Sequence, residues 1–286
     1  MRKKKKLVVY SFLLPSLCGV LFFYLIPFAD VVRRSFLTAV TGEFRGLDNY
    51  RTIFKNEAFL LAMKNTVRFA LCCLPLLIGI GLLVAALLAG HEALWNFKSA
   101  CLLPMAVPSA TVVLVWKIIF DKRGLLNGLL NDLAAAAGLG RVFETDYMES
   151  KAAFWVLVAS YIWKNLGYTV TLWFVGLLSV SKEQKEAARV DGASRVQLFW
   201  RVVFPQLLPN LYTITVLSFL NSFKVFREAY LVAGSYPHES IYLLQHLFNN
   251  WFVDLSLDKM AAAAVVTGGG MMAAILLLQH LWEDKG

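Results

Sequence analysis

The fold is decided by stretches such as FALCCLPLLIGIGLLVAALLAG, residues 69–90, in which 22 consecutive residues carry no charged side chain. A helix needs about 20 consecutive apolar residues to cross the hydrocarbon core of a bilayer. Backbone polar groups in lipid must pair within the segment, and this run lacks the apolar–polar alternation of a barrel strand. The stretch therefore predicts a transmembrane helix.

Five further apolar runs accompany this one. The 286 residues are 58% hydrophobic and 16% charged, whereas an average soluble protein has about 45–50% apolar and about 25% charged residues. A soluble protein of this length has room to bury one or two such runs, but not six. We therefore predict an all-α, polytopic membrane helix bundle with six transmembrane helices in a single domain, residues 1–286. The predicted spans are about residues 7–29, 66–89, 100–120, 152–178, 211–232 and 259–281.

The amino-terminal end is strongly basic, with Arg2 and the four lysines Lys3–Lys6 directly before the first apolar run. This run is too long for the hydrophobic region of a signal peptide and is interrupted by Pro15, so we interpret it as a retained span. Basic flanks are held in the cytoplasm, and six spans then place both termini there. Such flanks account for the net charge of +9. We exclude nucleic-acid binding, because a soluble basic surface does not fit a chain that is this rich in apolar residues.

The segment of residues 181–210 is too polar to span a membrane and lies between the fourth and fifth predicted spans. Ser181 is a predicted N-cap for a short helix over residues 182–190. Asp191 and Gly192 predict a break, in which Gly192 supplies an unusual backbone angle and Asp191 caps the helix that follows.

After this break the sequence predicts a second helix with one apolar face. Pro205 and Pro209 end it before the fifth span. The result is a helix–turn–helix on the cytoplasmic face. Two interpretations remain open: a rigid lever that a soluble partner pushes, or an amphipathic loop lying among lipid headgroups. The apolar positions are Val196, Phe199, Trp200 and Val203.

A long, spaced motif in this segment resembles the cytoplasmic EAA motif of the permeases of binding-protein-dependent ABC importers. The family pattern is Glu-Ala-Ala, three residues, Gly, nine residues, Ile, any residue, Leu and Pro. The apolar residues at 202 and 204 are variants of the Ile and Leu, and the Asp-Gly-Ala at 191–193 is similar to the form found in sugar importers. The matching residues are Glu186, Ala187, Ala188, Asp191, Gly192, Ala193, Val202, Phe204 and Pro205.

The resemblance covers nearly the whole chain and is to the maltose-type and glycerol-phosphate-type group of sugar permeases. The Trp-Lys-Asn-Leu-Gly-Tyr at residues 163–168 is similar to an element of that group's fourth span, and residues 222–226 are similar to one of its fifth. The group's Thr-Gly-Gly-Gly-Pro is replaced here by residues 233–237, and the sequence has no insertion matching the large outer domain of the maltose permease. Maltose is therefore not carried over as the substrate.

The resemblance implies a carbohydrate-importer permease in a bacterial cell membrane, without catalytic chemistry or a cofactor of its own. It implies that Glu186 pairs with a basic residue of a cytoplasmic ATPase, while Gly192 allows the turn. ATP binding would move this segment and switch the pore between inward-facing and outward-facing states. The implied partners are a second, unlike permease, two copies of the ATPase subunit, an extracellular or periplasmic solute-binding protein, a carbohydrate and the lipid bilayer, with no nucleic acid.

Polar side chains inside the predicted spans are candidates for the substrate pathway, because ionisable groups at membrane depth usually line water or form pairs. Lys164 interrupts the fourth span, and Lys224 lies four residues before Glu228, so that these two share a helix face. The alternatives are a structural ion pair, snorkelling to the interface or, for the aromatic residues, packing. The candidate pathway residues are Tyr161, Trp163, Lys164, Asn165, Asn221 and Lys224.

Other functions remain as alternatives. An importer of a non-sugar solute fits the same motif. An ion-coupled secondary transporter fits less well, because it has no use for an ATPase-docking segment and often shows inverted repeats, which we do not find. The sequence has no P-loop or H-E-x-x-H motif, and its cysteines and histidines show no metal-ligand spacing. We therefore expect no catalysis and no metal in this chain.

Overall fold

The computed structural model describes residues 13–91, 94, 96–140 and 143–283. The basic start and the first residues of the first predicted span lie outside the described residues. Within them the chain is helical, apart from loops and one isolated bridge between Leu37 and Phe44, so the predicted all-α class is confirmed. The helices are α1 (Leu13–Arg34), α2 (Asp48–Lys55), α3 (Glu57–Gly90), α4 (Phe97–Ala106), α5 (Ser109–Phe120), α6 (Leu125–Ala136), α7 (Ala153–Ser179), α8 (Lys182–Val190), α9 (Arg195–Gln206), α10 (Leu208–Ala233), α11 (Leu244–Val253) and α12 (Leu257–Glu283).

Three helices of the described chain are long and apolar enough to cross a membrane: Leu13–Arg34, Glu57–Gly90 and Leu257–His280. Two bent helix pairs raise the number to five if each pair is one span. The helix of the fourth predicted span, α7, matches its predicted bounds within a residue but is not among these helices. Six spans are consistent with these helices, and the count stays a prediction.

The third predicted span differs from the expected continuous helix. The helix direction changes by 93° between residues 99–106 and 109–136. Pro108 causes the break, because it has no amide hydrogen to donate and disfavours the helical conformation at Val107, which is extended. A second bend, of 65°, separates α9 from α10 at Leu207. The second helix of the predicted helix–turn–helix therefore ends at Gln206, before the helix that contains the fifth predicted span.

Contacts between residues divide the chain into two compact units. Polar packing in the first unit centres on the segment after α1, where the side-chain amide of Asn49 donates to the carbonyl oxygens of Ser35 at 2.9 Å and Leu37 at 2.8 Å. The hydroxyls of Ser35 and Tyr50 lie 2.7 Å apart. The large apolar side chains of α1 are mostly exposed, as expected for a helix surrounded by lipid. The described residues of this unit are 13–60 and 247–277.

The second unit is organised around α7. One apolar cluster packs Val170 and Trp173 of α7 against α3, α9 and α10, and another packs Phe154 and Leu157 against α3 and the second half of α10. Because other helices pack against one side of α7 in this way, polar groups on that side need partners within the protein. The prediction of one transmembrane domain over residues 1–286 stays a prediction. The described residues of this unit lie within 61–246 and 278–283.

Candidate functional site

The segment between α7 and α10 forms the predicted helix–turn–helix, which we call the coupling hairpin (Ser181–Leu207). Its first helix, α8, spans Lys182–Val190 as predicted, and the hydroxyl of Ser181 caps it by accepting the backbone N–H of Gln184 at 3.2 Å. The same hydroxyl donates to the carboxylate of Glu183 at 2.5 Å. This hydrogen bond is the main cause that lowers the pKa of Glu183. The cap predicted at Ser181 is confirmed.

The turn of the coupling hairpin depends on Gly192, whose φ of +83° lies in the left-handed region that residues with a side chain rarely adopt. Beyond it, the N–H of Ala193 donates to the carbonyl oxygen of Ala188 at 3.0 Å and so satisfies one of the last carbonyls of α8. The predicted role of Gly192 as the residue that allows the break is confirmed.

The cap of the second helix differs from the prediction. Asp191 ends α8, and the residue that caps α9 is Ser194. Ser194 accepts the backbone N–H of Gln197 at 3.3 Å, and the side chain of Gln197 accepts the backbone N–H of Ser194 at 2.9 Å, which makes a capping box. Asp191 and Ser194 are both favourable N-cap types, and the length of the turn selects Ser194.

The apolar face predicted for α9 is divided. Val203 and Leu207 are buried against the end of α7. Val196 and Trp200, predicted on the same face, remain 67% and 58% exposed. A π-helical turn over residues 199–203 interrupts the regular helical spacing, so the four predicted positions do not form one continuous face. The predicted single stripe is therefore wrong.

Hydrogen bonds hold the two helices of the coupling hairpin to each other and to the end of α7, while part of its first helix is exposed to solvent. Gln206 donates to the side-chain oxygen of Gln184 at 2.7 Å and ties α9 to α8. The ammonium of Lys185 donates to a carbonyl oxygen near the end of α7 at 3.3 Å, and burial lowers its pKa. Glu186 and Ala187 are exposed. The other motif residues are half-buried at Ala188, Ala193, Val202 and Phe204 and exposed at Asp191, Gly192 and Pro205.

A cavity of about 460 Å³ lies in the second unit, bordered by the α4–α5 break, α7 and α10. Its lining is dominated by hydroxyl, amide and charged side chains. Five of the six predicted pathway residues line it: Tyr161, Lys164, Asn165, Asn221 and Lys224. Five polar residues that were not among the candidates join them: Ser109, Ser160, Arg227, Glu228 and Gln245.

The sixth candidate, Trp163, does not line this cavity. Its indole is 42% exposed and meets the indole of Trp116 edge-on, with ring centroids 6.3 Å apart. Trp163 and Lys164 are neighbours in sequence, and successive side chains of a helix point about 100° apart. The structure therefore separates Trp163 from the other five candidates.

An ion pair forms one wall of the cavity. The ammonium of Lys164 on α7 contacts Oε1 of Glu228 on α10, and the hydroxyl of Ser109 donates to the same oxygen at 2.7 Å. Ser109 also accepts a hydrogen bond from Lys164 at 3.0 Å. Lys224 instead donates to Oδ1 of Asn221 at 2.9 Å, so the structural pair left open between Lys224 and Glu228 is not formed. The three-residue contact ties α5, α7 and α10 together.

Gly167 lets α7 approach α4 closely. A methyl group at position 167 would lie 2.2 Å from the carbonyl oxygen of Cys101 and 2.8 Å from Cα of Leu102. A glycine is therefore required at this contact. Because Lys164 lies one turn earlier on α7, the same approach places its ammonium beside the α4–α5 break, where Ser109 begins α5.

The chemistry available in this cavity is binding. Hydroxyl and amide groups can hydrogen-bond a polar ligand, and the cations can hold an anionic group. The described part of the chain contains no group of three or more His, Cys, Asp or Glu side chains placed to hold a metal ion.

The sequence matches a known family over most of its length. Residues 77–281 match the family described as "Binding-protein-dependent transport system inner membrane component". Similar proteins include the arabinooligosaccharides transport system permease protein AraP of Bacillus subtilis, 29% identical over 232 residues that make up 80% of this chain and 72% of that protein. Another is the sn-glycerol-3-phosphate transport system permease protein UgpA of Yersinia pestis, 29% identical over 269 residues, with 88% and 86% covered.

The fold is also found among solved structures. A chain of a bacterial ABC transporter involved in the import of the acidic polysaccharide alginate has a TM-score of 0.78 to this chain, at 20% identity, with 98% of this chain and 96% of that chain covered. At 20% identity, this structural similarity shows that the two chains share a fold. The family match includes the whole coupling hairpin and every helix that borders the cavity. The chain therefore belongs to the family of binding-protein-dependent transport system inner membrane components and is a membrane permease subunit of an ABC importer.

Proposed function

We propose that this chain is one of two unlike permease subunits of an importer that carries a carbohydrate across a bacterial inner membrane. The carbohydrate is delivered by a solute-binding protein, and ATP is hydrolysed by a separate cytoplasmic subunit present in two copies. Support comes from relatives named for transport of arabinooligosaccharides and sn-glycerol 3-phosphate. Further support comes from a cavity lined with amide and hydroxyl groups, which are suited to bind sugar hydroxyls.

The observation that carries this proposal is the coupling hairpin, which presents Glu186 and Ala187 to solvent on a helix braced by Gln184 and Lys185. An exposed carboxylate on a rigid helix is suited to pair with a basic cleft of an ATPase, and alanine beside it allows close approach. The hairpin and both termini then lie in the cytoplasm.

The coupling hairpin leads directly from α7 into α10, the helices that carry Lys164 and Glu228. Lys164 lies about 15 residues before the end of α7, which is roughly 22 Å along a helix. A push on the hairpin by a closing ATPase dimer therefore moves two walls of the cavity, as alternating access requires. In this proposal the cavity is part of the substrate pathway, with Tyr161, Lys164, Asn165, Asn221 and Lys224 in its lining.

A charge reversal in the coupling hairpin tests the proposal. In proteoliposomes that hold the complete importer, we expect Glu186→Arg to lower ATP-driven uptake by about tenfold or more, because it replaces an attractive contact with the ATPase by a repulsive one. Insertion and the amount of assembled permease pair should not change. Glu43→Arg is the matched control, since Glu43 is an exposed carboxylate in the loop after α1, and it should leave uptake unchanged.

Cross-linking gives a second measurement of the same contact. In a background without the native cysteines, we expect an Ala187→Cys variant to form cross-links to the ATPase subunit, whereas Val40→Cys, at a position that is 96% exposed, should form none. Normal uptake by the Glu186→Arg importer would contradict the coupling role. Labelling of the Ala187→Cys variant from outside intact cells by an impermeant thiol reagent would contradict the orientation.

A further inference from the structure

We propose that the cavity selects a negatively charged ligand, so that the carbohydrate carried is an anionic one, such as a uronate or a phosphorylated sugar. This inference rests on the proposed function, since it names the substrate class of the same cavity. It starts from the charge balance of the lining, in which Lys164, Lys224 and Arg227 stand against the single carboxylate of Glu228. The cavity thus carries an excess of two positive charges.

The carboxylate of Glu228 already has partners within the protein, Lys164 and Ser109. One of its oxygens contacts the ammonium of Lys164 and accepts the hydroxyl hydrogen of Ser109 at 2.7 Å, and the side chain is only 8% exposed. A buried carboxylate and ammonium in contact compensate each other's charge. Lys164 and Glu228 therefore contribute little net charge, and the excess belongs to Lys224 and Arg227.

Lys224 and Arg227 have no acidic partner among the described residues. Lys224 donates to the neutral amide oxygen of Asn221 at 2.9 Å, and Arg227 takes part in none of the ion pairs of the described chain. Both are exposed and lie three residues apart at the junction of the two halves of α10, so they are neighbours on one helix face. Two uncompensated cations at one cavity give it a positive potential that attracts anions.

The neutral part of the lining suits the rest of a carbohydrate. Asn165, Asn221 and Gln245 supply side-chain amides, and Phe226 and Tyr161 supply aromatic rings. The volume of about 460 Å³ lies within the range of roughly 300–1,000 Å³ that is typical of small-ligand pockets. A ligand with hydroxyl groups and one or more acidic groups therefore matches both the polar and the charged parts of the cavity.

The test measures binding to the assembled importer in lipid nanodiscs without the solute-binding protein, so that the selectivity of that protein does not enter. Two pairs of probes are compared by equilibrium dialysis: trigalacturonate with its uncharged methyl ester, and sn-glycerol 3-phosphate with glycerol. We expect at least one anion to bind about tenfold or more tightly than its neutral counterpart, and this preference to fall as the salt concentration rises. Binding of trigalacturonate alone assigns a uronate, and binding of the phosphate ester alone assigns a phosphorylated sugar.

A pair of substitutions assigns the effect to the cavity. We expect the combined Lys224→Gln and Arg227→Gln variant to weaken binding of the preferred anion by about tenfold or more and to leave its neutral counterpart unchanged. Lys117→Gln is the control, because Lys117 is an exposed lysine of α5 outside the cavity, and it should change neither affinity.

Three results would overturn the inference. The first is equal binding of anionic and neutral probes, and the second is unchanged anion binding by the double variant. The third is loss of the second permease from the double-variant complex, which would show that Lys224 and Arg227 pair with a carboxylate of that subunit. If equal binding is found while Glu186→Arg still abolishes uptake, the anion inference falls and the proposed function stands. If anion binding is found while Glu186→Arg transports normally, the coupling role falls and the anion site stands.

Discussion

The coupling hairpin and the polar cavity are built in opposite ways, although α7 and α10 serve both. The hairpin is one continuous segment whose caps, turn and motif residues are close in sequence. The ion pair of the cavity joins Ser109, Lys164 and Glu228, of which the first and last are 119 residues apart. The hairpin is therefore a local structure, and the cavity exists only when α5, α7 and α10 are packed.

Charge plays a different part in the two regions. Exposed charges such as Glu186 on the hairpin contribute little to stability, and in the proposed function Glu186 is free to contact a partner. Lys164 and Glu228 are largely buried, and removal of one leaves the other without compensation. Substitutions in the cavity wall should therefore lower the stability of the fold, whereas substitutions in the hairpin should act locally or on coupling.

The largest effect is expected from breaking the ion pair on one side only. Glu228→Leu leaves the ammonium of Lys164 uncompensated, and we expect the free energy of unfolding, measured by reversible SDS titration, to fall by about 3–5 kcal/mol. The double variant Lys164→Met/Glu228→Leu removes both charges and should regain most of that loss. A loss of under about 1 kcal/mol in the single variant would contradict a compensating pair.

A smaller effect is expected at the close contact of α7 with α4. Gly167→Ala puts a methyl group 2.2 Å from the carbonyl oxygen of Cys101, and overpacking of this kind costs about 1–3 kcal/mol. Gly79→Ala is the matched control, because a methyl group there meets no atom within 4 Å. The same SDS titration should give a lower free energy of unfolding for Gly167→Ala than for Gly79→Ala. Equal values would show that α4 can move away from the added methyl group without loss of stability.

The smallest effect is expected in the coupling hairpin. Ser194→Ala removes the cap of α9 at a cost of about 1 kcal/mol, which corresponds to roughly fivefold faster hydrogen exchange at the amides of Gln197 and Leu198. Ser194→Asp keeps an N-cap acceptor and should restore protection. Global unfolding should change little in either variant, because the hairpin opens locally. If Ser194→Ala lowered the global free energy of unfolding as much as Gly167→Ala, the hairpin would not be a locally folded structure distinct from the packed cavity.

Within the hairpin, sequence reasoning succeeded where one residue settles the geometry. Ser181 as a cap and Gly192 as a break follow from the chemistry of single positions. It failed where two local choices compete, since Asp191 and Ser194 are both good N-caps, and where the helical phase changes, since the π-helical turn over residues 199–203 separates side chains that a regular helix keeps together.

In the cavity, the types of candidate residue were predicted but their partners were not. Lys164 and Lys224 were singled out as ionisable groups in apolar runs, which is a signal within the sequence. Ser109 carried no such signal beyond following Pro108, where a hydroxyl residue is an ordinary helix start. The contact of Glu228 with Lys164 rather than with Lys224 depends on how two helices meet, which the spacing of residues within one helix does not contain.

The amino-acid sequence by itself determined the helical, membrane-spanning character of this protein and the position of its coupling hairpin, because the length of apolar runs and the chemistry of caps and turns act over a few residues. Only the tertiary structure decided which charges are compensated. The close approach of α7 to α4 at Gly167 and the packing of α10 bring Lys164 to Glu228 and leave Lys224 and Arg227 beside the cavity without an acidic partner in the described chain. Electrostatic compensation depends on distances between helices far apart in the chain, and those distances are set by packing.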